Sequence, residues 1–190
     1  ANGTTLGADN GIGMASALAI LGSDDIKHGP LEVLLTVDEE AGMTGAFGVE
    51  AGMLQAEILI NTDSEQEGEI YMGCAGGVDA EFTVPVQWQA ISDGVSAFNL
   101  SLTGLKGGHS GVNIHLGRGN ANKLLARFLA DNAAVLNLAL AGFNGGSLRN
   151  AIPREATVSL TVPVAKLSQL QQRVAEFEAL LRQELAAVEP

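Results

Sequence analysis

The stretch Leu31–Gly45, LEVLLTVDEEAGMTG, constrains the fold most: an apolar, β-branched run ends in three consecutive carboxylates and then a turn. Val33, Leu34, Leu35 and Val37 read as a buried strand. Asp38, Glu39 and Glu40 at its carboxyl end repel one another, and a fold keeps such a cluster where something positive sits, a metal ion above all. Ligands in open α/β sheets bind at that end of the strands. For the triplet alone, a solvated acidic turn is the simpler account. Two further acids change the weighting. Asp9, in LGADNGIG, lies where a glycine-rich turn enters an apolar, alanine-rich helix, and by itself it reads as a cap. Asp63 ends the apolar run EILINTD, and by itself it reads as an Asx-turn. Together the acids sit at element ends in an alternating α/β chain, which is how a fold converges carboxylates on one point.

Composition narrows the classes. With 190 residues and a hydrophobic fraction of 46%, the chain can bury a core in one or two domains. No apolar stretch approaches the roughly 20 residues of a membrane span. The opening ANGTTLGADNG has neither a basic region nor an apolar core, so no signal peptide is expected. The single cysteine, Cys74, excludes an intrachain disulfide and fits a reducing, cytoplasmic compartment. Set among glycines, Cys74 is expected to be a small buried residue rather than a nucleophile. A net charge of −12 argues against nucleic acid as a partner. GADNGIG lacks the spacing of a dinucleotide fingerprint and the Gly-Lys-Ser/Thr ending of a phosphate loop.

Two parts are expected, 1–75 and 76–190, divided at the glycine-rich break Gly73–Gly77. The first reads as helix Asn10–Leu21, strand Leu31–Val37, short helix Thr44–Ala51, strand Glu57–Asn61 and short strand Glu69–Met72, an α/β pattern with a mainly parallel or mixed sheet. The second reads as strands Val78–Val86 and Ala97–Thr103, helix Asn120–Leu136, strand Ala156–Val162, and a long amphipathic helix marked by Leu167, Leu170, Val174, Phe177, Leu180 and Leu181. That order predicts a two-layer α+β sandwich, antiparallel strands covered on one face by two helices.

The second part has its own polar segments. In GLKGGHSG, His109 lies between small residues that let it approach a ligand closely, and equally it reads as a hairpin histidine. His115 is undecided among ligand, packing and surface roles, and His28, before Gly29-Pro30, reads as a solvated turn residue. NGGSLRNAIPR places Asn150 and two arginines before a strand, where an arginine holds a carboxylate or simply a hairpin charge.

Taken in order, GADNGIG, TVDEEAGMTGA, NTDSEQEGEIYMGCAGG, GLKGGHSG and NAIPREA resemble the metal-dependent exopeptidases of the aminoacylase/carboxypeptidase G superfamily over essentially the whole chain. The resemblance implies part of a zinc-exopeptidase catalytic domain with a mixed sheet, followed by part of an α+β two-layer lid domain. It implies hydrolysis of dipeptides, Xaa-His first among them, with a tripeptidase, a broader dipeptidase, a deacylase or a non-catalytic lid and dimerisation module as alternatives. It assigns Asp9 to bridge two zinc ions (cobalt or manganese as substitutes), Glu40 and Asp63 to bind one metal each, and Glu39 to act as general base. It assigns His109 to polarise the substrate carbonyl and Asn150 to contact substrate from the lid. The implied partners are a dipeptide substrate and a second copy in a homodimer, with no membrane. The family also has a histidine in a His-x-Asp motif and another near its carboxyl end; no histidine precedes Asp9 here and none follows His115. The expectation is therefore an internal fragment, inactive alone and without tightly bound zinc.

Overall fold

The structure, a computed structural model, describes residues 9–64, 66–74 and 76–189. The approach to Asp9 through Gly7 and Ala8, Glu65 in NTDSEQEG, and Ala75 at the expected boundary lie outside them. By its internal contacts the chain divides into Ala1–Phe82 and Thr83–Pro190.

In the first unit, α1 spans Gly11–Leu21 as the sequence predicts. Its cap is Asn10 rather than Asp9: the Asn10 side chain accepts a hydrogen bond from the Gly13 N–H at 2.7 Å, satisfying one of the orphan donors of the first turn. The acid triplet opens α2 (Glu39–Gly42), entered through Asp38 in a left-handed conformation. The expected helix over 44–51 is shorter, α3 (Thr44–Phe47), because Gly48 follows and glycine gives up most backbone freedom in a helix.

The strands expected over 31–37, 57–61, 69–72 and 78–86 do not form. Their apolar side chains face solvent: Val37 is 71% exposed and Leu59 81%. Such runs belong to strands covered on both faces, which need sheet neighbours and helices that the described residues do not give them. Some order survives. Glu32 Oε2 accepts from Gln55 N–H at 2.8 Å and Ala56 N–H at 2.7 Å, setting the second apolar run beside the start of the first. Glu69 accepts from the Tyr71 hydroxyl at 2.5 Å, which pushes the phenol above its ordinary pKa. Cys74 is exposed, not buried as expected, and among the described residues no strand pairs with its segment.

The second unit contains, in chain order, β1 (Val95–Leu102), β2 (Gly108–His109), α4 (Ala121–Leu136), β3 (Ala139–Gly145), β4 (Ala151–Ile152), β5 (Ala156–Pro163) and α5 (Leu167–Glu184). Strands β1, β5 and β3 form an antiparallel sheet in that spatial order, and β2 pairs with β4 in a second, two-stranded sheet. Alternation along β5 buries Ala156, Val158, Leu160 and Val162 against the helices, with Phe98 and Leu100 of β1 packed beside them. Leu125, Phe128 and Leu136 of α4 and Leu170 of α5 complete the core. The opposite sheet face is polar, with Ser101 and Thr157 hydroxyls 2.9 Å apart and Ser159 donating to Asn99 at 2.8 Å. This is the two-layer arrangement the pattern predicts.

Local chemistry fixes the helix ends. Asn120 caps α4 by accepting from Lys123 N–H at 3.2 Å. Asn137, left-handed, closes it, and the Leu138 N–H reaches back to the Ala133 carbonyl at 2.9 Å in a Schellman turn. Arg127 joins α4 to α5 by an ion pair with Glu184 at 2.8 Å while its guanidinium lies over the Phe177 ring. Sequence reading misses β3: ALAGFNG carries two glycines and little β propensity, and a register shift falls between Leu140 and Gly142. Among the described residues no helix is long and apolar enough to cross a membrane.

Candidate functional site

Pairing of β2 with β4 joins His109 to the Asn150 segment. His109 lies opposite Ala151, and the Ser110 N–H donates to the Asn150 carbonyl at 2.7 Å. The two residues assigned to the lid are thereby neighbours in space although far apart in sequence. A cleft of about 490 Å³ opens beside them, lined by Ser110, Ile114, Asn122, Gly146, Arg149 and Pro153 among others.

The glycines before His109 are required by close approach. Gly107 and Gly108 have φ of 65° and 145°, and a Cβ on Gly108 would stand 2.7 Å from Arg118 Nη1 and 2.9 Å from Asn113 Oδ1. Arg118 donates to the Gly107 carbonyl at 2.6 Å, and Asn113 Oδ1 accepts from the His109 N–H at 2.9 Å. The imidazole is held as tightly. Its Nδ1 accepts from Gly111 N–H at 3.0 Å and from Val112 N–H at 3.1 Å. A nitrogen that accepts two backbone donors carries no proton, so the neutral ring bears its proton on Nε2, and the exposed ring has a donor to offer. His115 is exposed in the 3-10 turn Ile114–Leu116, and His28 lies exposed with Nδ1 2.7 Å from the Gly29 carbonyl.

In the first unit, Asn10 Nδ2 donates to Thr62 Oγ1 at 3.0 Å, which draws together the turns carrying Asp9 and Asp63. Gly13 allows it: a Cβ there would lie 2.3 Å from both atoms of that bond. The peptide bond between Asp9 and Asn10 is cis. Asp38 is engaged by Thr44 Oγ1 at 2.9 Å, leaving Glu39 and Glu40 exposed in the first turn of α2. Among the described residues, no three His, Cys, Asp or Glu side chains meet as a metal centre, so Asp9, Glu40 and Asp63 are not gathered into one. Their chemistry also matters: carboxylates alone suit magnesium, manganese or calcium better than zinc, and the residues present do not fit two zinc ions. Calorimetric titration of the 190-residue chain with Zn²⁺ is accordingly expected to give no tight binding, and a tight two-metal stoichiometry would overturn the donor-set argument.

Residues 100–189 match the family model described as the peptidase dimerisation domain. Over 189 residues the chain is 60% identical to the cytosol non-specific dipeptidase of Escherichia coli (strain K12), covering 100% of this chain and 39% of the relative. The crystal structure of aminoacylhistidine dipeptidase from Vibrio alginolyticus matches with a TM-score of 0.67 and 59% identity over 98% of this chain and 38% of that one. The exopeptidase resemblance carried by the motifs is borne out: these homologues are dipeptidases. The chain spans about two-fifths of their length. The matched residues 100–189 include both His109 and Asn150. Sequence reading missed the residues that hold His109 in place. An Asx signal four residues on points to Asn113, whereas nothing local marks Arg118.

Proposed function

We propose that the chain is the middle of a metal-dependent dipeptidase, acting on Xaa-His dipeptides, with Glu39 as general base and His109 as the donor to the developing oxyanion. The observation that carries this reading is the His109 ring, whose Nδ1 is occupied by two backbone N–H groups so that an Nε2–H is presented outward. A fixed N–H aimed at a carbonyl oxygen stabilises the negative charge that grows there when water attacks the peptide carbon. Glu39 would take the proton of that water and pass it to the leaving amine. Asn150, beside His109, would contact the substrate, and the cleft lined by Arg149 gives room for a dipeptide. Asp9, Glu40 and Asp63 would be the carboxylate share of the metal centre in the full-length enzyme, with imidazole ligands to complete a zinc site.

The domain match also supports a second reading, in which the unit serves to pair two copies. Strand β3 is a sheet edge with Leu140 and Phe143 facing solvent, a surface suited to a homodimer. The cytosolic name of the Escherichia coli relative supports a cytoplasmic location.

His109→Ala in the full-length enzyme separates the two readings. The catalytic reading expects kcat to fall about 10²–10³-fold with metal content unchanged, the usual cost of one oxyanion donor. Unchanged kcat would leave His109 a loop residue of a pairing module.

A further inference from the structure

We propose that Glu189 is a positioning residue that holds the His109 loop from outside it; this rests on the catalytic reading of His109. Both carboxylate oxygens of Glu189 are used. Oε2 accepts from the Lys106 N–H at 2.8 Å and Oε1 from the Gly119 N–H at 2.9 Å. Those two residues flank the segment 107–118, which carries Gly108, His109, Asn113 and Arg118. One side chain thus ties both ends of the loop, and Arg118 adds a second tie to the Gly107 carbonyl just inside.

The carboxylate is well matched to this place. Gly119 directly precedes the Asn120 cap of α4, a helix of 16 residues, so the negative charge faces the positive end of its dipole. Gly119 is buried, and a Cβ on it would lie 2.9 Å from Leu105 Cδ2 and 3.3 Å from Leu185 Cδ1. Its N–H therefore meets the Glu189 carboxylate where a water molecule has little access. Glu189 is itself fixed: its N–H donates to the Leu185 carbonyl at 2.7 Å in the turn that ends α5. The position of α5 is thereby transmitted to the two ends of the loop, and from there to the ring whose Nδ1 depends on the loop amides of Gly111 and Val112.

Removing the carboxylate strips the acceptor from two backbone donors but leaves the β2–β4 pairing and the Arg118 tie in place. The loop should loosen without unfolding. The test has two readouts on Glu189→Ala and on Glu189→Gln, which keeps the size and one acceptor oxygen. In ¹⁵N NMR of this chain, wild-type His109 is expected as a single Nε2–H tautomer, Glu189→Ala as an averaged mixture, and Glu189→Gln in between. In the full-length enzyme, Glu189→Ala is expected to lower kcat about tenfold with KM changed less than about threefold, since a displaced donor affects the transition state more than binding. An unchanged His109 spectrum in Glu189→Ala, or a wild-type ring that is not the Nε2–H tautomer, overturns the proposal. A normal kcat in Glu189→Ala beside a large fall in His109→Ala overturns the role of Glu189 alone. A normal kcat in His109→Ala overturns the reading beneath it.

Discussion

In the full-length enzyme Glu39→Gln is expected to lower kcat by roughly 10²–10⁴-fold while metal content and fold persist. Glutamine keeps the size and shape of the side chain but cannot accept the proton of the attacking water. The local structure gives the carboxylate freedom for that task. Asp38 is engaged by Thr44, whereas Glu39 sits exposed in the first turn of α2, and among the described residues no hydrogen bond occupies it. A general base must change its protonation in every cycle, so a carboxylate committed to a structural bond would serve poorly. Steady-state kinetics with metal analysis decides the matter: near-normal turnover in Glu39→Gln removes Glu39 from the mechanism. Loss of metal together with turnover makes it a ligand instead.

Phe128→Ala is expected to destabilise the second unit by about 3–5 kcal/mol, the range for emptying a buried aromatic site. Phe128 is 1% exposed and lies at the centre of the core shared by α4, α5 and β5, against Leu136, Val162 and Leu170. Its ring meets Phe177 at a centroid distance of 5.4 Å, tilted by 56°, a geometry in which the ring edges face the partner's π-face. A thermal melt followed by circular dichroism should move down by about 4 °C or more per kcal/mol for a unit of this size. A shift of a degree or two would mean that α4 and α5 collapse onto the gap. The surface pair Arg182–Glu178, at 2.7 Å and exposed on both sides, is the contrast: its loss should barely register.

The relation of sequence to structure differs between the two units. The helices of the second unit were legible because their information is local. Leu124, Leu125, Phe128 and Leu129 recur at helical spacing, Asn120 supplies the cap, and Asn137 accepts the left-handed turn that ends α4. The run VSLTV marked β5 as a strand, and the structure buries its apolar side. In β3 the same signal is diluted by Gly142 and Gly145, so the strand exists because β5 offers it a partner and not because its residues favour extension. In the first unit the apolar runs over 31–37 and 57–61 carry a buried-strand composition, yet no ladder forms. Strand hydrogen bonds are made between segments, and composition cannot supply the neighbour.

The sequence by itself determined the periodicity of α4 and α5, the glycines at 107 and 108, and the ordered motifs that mark a dipeptidase relative. Only the tertiary structure decided that His109 adjoins Asn150, that its Nδ1 accepts from the Gly111 and Val112 N–H groups, and that Glu189 holds its loop at both ends. The reason is physical. Caps, turns and helical periodicity follow from interactions within a few residues, where the chain's own geometry fixes the distance. A ring tautomer and a two-ended carboxylate tie depend on donors brought from distant segments, and these meet only after the sheet has paired and α5 has packed against it.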